Sequence, residues 1–304
     1  MLAMREWMEY AAAWIGLKAL GLLPRPVART AGVVFAAAAY RVRTPLRRAA
    51  MFNLNVAFPE WDDGARKSAI RGMVRQIGWM AGEFSQFPKY TRAKIEELVA
   101  VEGFEHFDCA RQRGKGVLLL TGHISAWELA PFAHALYGHP MHFLVRPIAN
   151  GRVDALINSY RCSSGNQSLE KNRSARSILK VLAGGGTVGV LADHNTAIEE
   201  AVFVNFFGVP ASTTSGIARL ALRTGAAVVP GFLSWDETRQ KYTLEFQCAV
   251  ELVRTENEES DIVENTARFS VVIENYIRAH PDQWLWIHKR WKTRPPGEKP
   301  LYPF

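Results

Sequence analysis

From residue 116 the chain alternates short apolar runs with helical stretches, without a repeat of fixed period, and that alternation limits the fold more than any other feature. Gly116-Val-Leu-Leu-Leu-Thr121 lacks polar alternation, the pattern of a strand buried on both faces. Ala126 to Tyr137 then reads as a helix, His142 to Arg146 as a strand and Val153 to Tyr160 as a helix. A helix over Ser174 to Leu182 stops at Gly184-Gly185-Gly186, and Thr187 to Leu191 is the third strand. Thr214 to Arg223 is helical, Ala227 to Trp235 and Tyr242 to Gln247 are strands, and Ile262 to Ala279 closes the series as a helix. Strands alternating with helices predict an α/β fold with a mostly parallel sheet flanked by helices.

The first ninety residues have a different texture. Trp7 to Leu23 and Ala31 to Tyr40 are apolar runs, the first interrupted by Glu9 and Lys18. Neither reaches the ~18 uninterrupted residues of a spanning helix, and no small-residue cleavage site marks a signal peptide. Pro24 and Pro26 divide these helices, Pro45 opens a third, and Asp62 or Asp63 caps a fourth that runs to about Gln86. This predicts a helical, basic, membrane-associating region over 1–90 and an α/β domain over 91–304. A helical hairpin packed on the body is the alternative reading of the N-terminal segment.

Charge follows the same division. The net charge is +8, and residues 1–50, with eight basic and two acidic side chains, carry +6 of it. A second basic cluster holds Lys289, Arg290, Lys292 and Arg294. Such patches suit an anionic membrane or an acidic protein. The near-neutral body has no nucleic-acid module and no continuous basic stripe, so nucleic acid is not an expected partner. Cys109, Cys162 and Cys248 are odd in number and widely spaced, which argues against a disulfide scaffold or zinc site.

Candidate chemistry gathers where the strands end, the usual place for an α/β site. The first strand runs into Thr121-Gly122-His123-Ile-Ser125-Ala-Trp127-Glu128, the second ends at Arg146, and the third runs into Asp193-His194-Asn195. On one continuous helix His123 and Glu128 would diverge by ~140°. They meet only if His123 lies in the loop and Glu128 in the first helical turn, with Ser125 as N-cap. Glu128 would then hold one imidazole nitrogen and leave the other as a general base. Ser125-x-x-Glu128 is equally a capping box, which would make Glu128 structural. Asp193-His194 invites a metal reading, opposed by the alternation of side chains along a strand. Asn205 to Gly208 and Thr213 to Ser215 read as a loop and a helix start, with Arg219 on that helix in reach of a phosphate or a surface acid.

His123, four residues, then Glu128 resembles the motif of the lysophospholipid acyltransferase superfamily. Asn53-Leu-Asn-x-Ala-Phe-Pro59, Phe203-Val-Asn-Phe-Phe-Gly-Val-Pro-Ala211, Thr213-Thr-Ser-Gly-x-Ala-Arg-Leu-Ala221, Gly225-Ala-Ala-Val-Val-Pro230 and Pro281-Asp-Gln-Trp-Leu-Trp-x-His-Lys-Arg-Trp291 resemble its lipid A late acyltransferase (lauroyl/myristoyl transferase) branch, in that order along the chain. The resemblance implies a glycerolipid acyltransferase-like fold and an O-acyltransferase of lipid A, and hence lipopolysaccharide, biosynthesis. It implies His123 and Glu128 as the catalytic pair, Arg146 at a substrate phosphate and Asp193 as an acid characteristic of the branch; Arg219, and Ser125 with backbone N–H groups near it for the developing oxyanion, are further candidates at the substrate. His194 stands where the branch often has Gln, so no role resting on an amide carries over. The implied donor is an acyl thioester on acyl carrier protein. The implied acceptor is a lipid A precursor at the cytoplasmic side of the cell inner membrane, and no metal or redox cofactor is expected. Acylation of a glycerophospholipid or another glycolipid, and lipid binding without catalysis, are the other readings.

Overall fold

The computed structural model describes residues 2–170 and 175–304. Four helices lead: α1 (Leu2–Leu22), α2 (Arg25–Val42), α3 (Thr44–Ala57) and α4 (Asp63–Gln86). Prolines open α2 and α3. Asp62 caps α4 by accepting the Ala65 N–H at 2.7 Å, a device that supplies ~1 kcal/mol. Helices α5 (Arg92–Leu98) and α6 (Phe104–Gln112) bracket β1 (Val99–Glu102). Then come β2 (Val117–Thr121), α7 (Leu129–Leu136), β3 (His142–Val145), α8 (Gly151–Arg161), β4 (Gln167–Glu170), α9 (Ala175–Ala183) and β5 (Thr187–Leu191). The expected start of α9 at Ser174 lies outside the described residues. The chain continues through β6 (Ala201–Phe206), β7 (Val209–Thr214), α10 (Gly216–Thr224), β8 (Ala227–Asp236), β9 (Lys241–Phe246) and α11 (Glu258–Ala279).

Seven strands form one sheet in the order β1-β9-β8-β2-β5-β3-β4. All neighbours run parallel except β8 and β9, so the sheet is mostly parallel, as its apolar strands require. Strand β2 shows why they carry no polar residues until their ends. Leu118 and Leu120 enter a core with α3, α4, α9, α10 and α11, whereas Val117 and Leu119 enter a second core with α5, α6, α7 and α8. Helices that precede residue 90 share both cores with the sheet: Leu54 and Met73 join the first, Phe84 and Phe87 the second.

Glycines set the closest helix crossing. A Cβ at Gly32 of α2 would lie 2.1 Å from the Gly78 carbonyl oxygen of α4, and one at Gly82 would lie 2.9 Å from the Arg29 backbone. Arg25 and buried Glu83 then tie the pair, at 2.6 Å. Among the described residues no helix is long and apolar enough to cross a membrane. Even so, of the fourteen large apolar side chains that are exposed among the described residues, ten lie on α1 and α2, with Met4, Trp7, Met8 and Phe35 among them.

Two local expectations fail. Residues 201–214 form the antiparallel hairpin β6–β7, so Asn205 and Phe206 lie in a strand rather than a loop and Thr213 and Thr214 end a strand rather than start a helix. Its turn, Phe207-Gly208, has positive φ at both positions, and phenylalanine is not a residue that advertises such a turn. Helix α7 starts at Leu129, not Ala126, because the residues before it are drawn into the site.

Candidate active site

The loop after β2 is held from two directions. On one side, the Asp193 carboxylate accepts the His123 backbone N–H at 2.7 Å and pairs with His123 Nδ1 at 2.8 Å. Gly122 permits this approach, since a Cβ there would lie 3.2 Å from that carboxylate. On the other side, Ser125 N–H donates to the Gln283 carbonyl at 2.7 Å, Leu285 N–H donates to the His123 carbonyl at 3.1 Å, and Ile124 bridges to Trp284. Trp284 Nε1–H completes the acid's shell by donating to Asp193 Oδ2 at 2.7 Å.

Asp193 is 1% exposed. Burial by itself would raise its carboxyl pKa, but the His123 imidazole and the hydrogen bonds from His123 outweigh that and hold it far below the carboxylate range. In the neutral imidazole, an ionised Asp193 favours the tautomer with the proton on Nδ1 and Nε2 bare.

The expected pairing of His123 with Glu128 is corrected by these contacts. Asp193 takes the imidazole, and Glu128 forms a two-bond pair with Arg161 at the end of α8, with distances of 2.9 and 2.5 Å. Glu128 is not the end of a capping box either: it stands at the N-cap of α7 and makes no side-chain cap bond. Ser125 is likewise no N-cap. Its φ is 51°, its hydroxyl donates to Gln76 Oε1 at 3.0 Å, and the residue is fully buried. With its N–H on Gln283 and its hydroxyl on Gln76, both donors of Ser125 are already engaged.

Asp193 and His194 follow the end of β5, so strand alternation does not separate them as expected. The His194 ring lies flat on His123, 3.6 Å between centroids and 2° between planes, and His288 lies on the far face of His194 at 3.8 Å and 14°. Burial pushes the His194 imidazole down to about 3 and that of His288 to about 4. His123, Asp193 and His194 present potential ligand atoms within 4.8 Å of one another. The Asp193 oxygens, however, are already engaged by three N–H groups, an arrangement suited to orienting an imidazole.

His123, Glu128, Arg161, His194 and His288 all face one cavity of about 1030 Å³. It has two characters. One arm runs along the sheet face of the second core, between Leu119, Met141, Phe143, Leu244 and Phe246, past Gly189 and Gly231. The other gathers Arg146, Arg161, Arg219, Glu199, Thr214 and Ser215. Arg219 is steadied there by Ser215 Oγ, 3.1 Å from its Nε. Arg161 and His288 were not singled out from the sequence; His288 lies in the closing tryptophan-rich block, whereas nothing in the pattern marked Arg161.

A family model for bacterial lipid A biosynthesis acyltransferases matches residues 1–293. The chain belongs to that family. It is similar to a lipid A biosynthesis acyltransferase of Haemophilus influenzae, 29% identical over 83% of this chain and 77% of the relative. It is also similar to the lipid A biosynthesis lauroyltransferase of Escherichia coli, at 28% identity over 97% and 95%. A palmitoleoyltransferase of the same pathway and organism is 27% identical over 98% and 97%. As a lipid A biosynthesis acyltransferase, the chain joins a buried acid–imidazole pair to a cavity with one apolar and one cationic arm.

Proposed function

We propose that this acyltransferase moves a fatty acyl chain from acyl carrier protein to a hydroxyl of a lipid A precursor, with His123 as general base. The observation that carries this reading is the Asp193–His123 Nδ1 bond, which leaves Nε2 free on a ring that lines the cavity. His123 Nε2 takes the acceptor's O–H proton as that oxygen attacks the thioester carbonyl. The C–S bond then breaks, and the imidazolium returns the proton to the leaving thiolate. Asp193 orients the ring and balances the imidazolium charge.

The arms divide the substrates. The apolar arm suits the acyl chain. Arg146, Arg161 and Arg219 suit the phosphates of the acceptor, with Glu128 fixing the Arg161 fork. The acidic carrier protein and the anionic cytoplasmic leaflet of the inner membrane both suit the basic N-terminal region. There the exposed apolar side chains of α1 and α2 would rest in the lipid interface.

Purified protein supplied with acyl-carrier-protein donors tests this reading. Transfer to a tetra-acylated lipid A precursor, lost in His123→Ala, is the expected result. Transfer to lysophosphatidate alone would move the acceptor to the glycerophospholipids, and full activity of His123→Ala would remove the base.

A further inference from the structure

We propose that His194, backed by His288, is a positioning residue for the transfer: the stacked rings fix the plane of His123 and spread the positive charge that it takes up. The proposal rests on His123 being the base.

One hydrogen bond cannot fix an imidazole. The Nδ1···Oδ1 contact with Asp193 holds one edge, but the ring can still rock about that bond because histidine χ2 is a broad torsion. His194 removes this freedom on one face, being parallel to within 2° at 3.6 Å. Trp127 limits the ring further, 5.2 Å away and steeply inclined. His194 is in turn pressed from behind by His288 at 3.8 Å. His288 is anchored as well: its Nε2 accepts the Asn195 N–H at 3.0 Å, so that nitrogen bears no proton.

The two outer rings must stay neutral to be useful, since a charged His194 would repel the imidazolium it faces. Burial keeps them so, reinforced by Arg290 and, for His288, by Lys292, while Asp193 pulls in the opposite direction. A neutral π face against a new cation in a desolvated site is a favourable contact. It is stronger when His123 is charged than when it is neutral, so it favours the step that forms the imidazolium. His194 Nε2 is buried without a hydrogen-bond partner. The ring's flat face is the contact this position makes with His123.

The experiment compares His194→Leu, which fills the space without a flat ring, with His194→Phe, which restores the ring without nitrogen. Wild type and His123→Ala are measured in the same acyl-transfer assay, and thermal melting establishes folding. His194→Leu should lose about 10-fold or more in kcat with KM within about 3-fold, and His194→Phe should recover to within about 3-fold of wild type. If His194→Leu does not fold, His194→Met replaces it with the same expectation. Wild-type kcat in the Leu or Met variant overturns the proposal, and so does a loss in His194→Phe as large as in Leu. An active His123→Ala overturns the base itself, an outcome distinct from either.

Discussion

Two acids lie beside the cavity, and each holds one basic side chain. Asp193 is sealed from water and grips His123, while Glu128, partly exposed, grips Arg161. Glu128 is five residues from the histidine in sequence and Asp193 is seventy away, yet the distant acid holds the imidazole. Nearness along a chain selects partners only inside regular elements, and His123 lies in a loop. There the partner is set by which strand end lies alongside: β5 is the sheet neighbour of β2, so the residues after both strands converge.

The sharpest break of this comparison would come from amides. Asp193→Asn should lower kcat by ~10²–10⁴-fold, close to the loss in His123→Ala. Glu128→Gln should act mainly on acceptor KM, by about 10-fold. Equal collapse in both amides would return Glu128 to the imidazole.

Next in size is acid sensitivity, which should belong to the Asp193 side. His194 and His288 fall to about 3 and about 4, and buried His134, elsewhere on the cavity wall, falls to about 3. The unfolded chain gains these protons below ~6.5 and the folded chain does not. Stability should therefore fall as pH drops from about 6.5 toward 4, by up to ~1.4 kcal/mol per unit for each histidine. Urea midpoints at pH 7 and pH 5 would measure this, and His134→Phe should remove part of the fall.

Arg161 gives a smaller effect. Arg161→Ala and Glu128→Gln should be non-additive in acceptor binding, with a coupling of ~1 kcal/mol, whereas Asp193→Asn and Arg161→Ala should add. Smallest is the apolar arm. A Cβ at Gly231 would meet Phe246 at 3.4 Å, an ordinary contact, so Gly231→Ala should fold and should turn selectivity among donors toward shorter chains by about 10-fold.

Much of this was legible in the residues. The unbroken apolar runs of β2, β5 and β8 gave the two-sided sheet, and the polar residues following β2 and β5 gave His123, Asp193 and His194 as candidates. What escaped had non-local causes. Ser125 looks like a cap, but the Gln283 carbonyl takes its N–H and the backbone is held at positive φ. Arg161 lies at a helix end where a basic residue is ordinary, and only the packing of α8 brings it to Glu128. The β6–β7 hairpin escaped because its turn begins with Phe207.

The clasp of residues 283–285 on the histidine loop bears on the order in which activity appears. Trp284 carries one of the hydrogen bonds to Asp193, and the Trp286 and His288 carbonyls are held by Asn53 Nδ2, each at 2.6 Å. A ribosome delivers these partners after every strand of the sheet has emerged. Until they dock, the His123 loop lacks its contacts with Gln283, Trp284 and Leu285, so on the proposed reading transfer would begin only once they have closed on it.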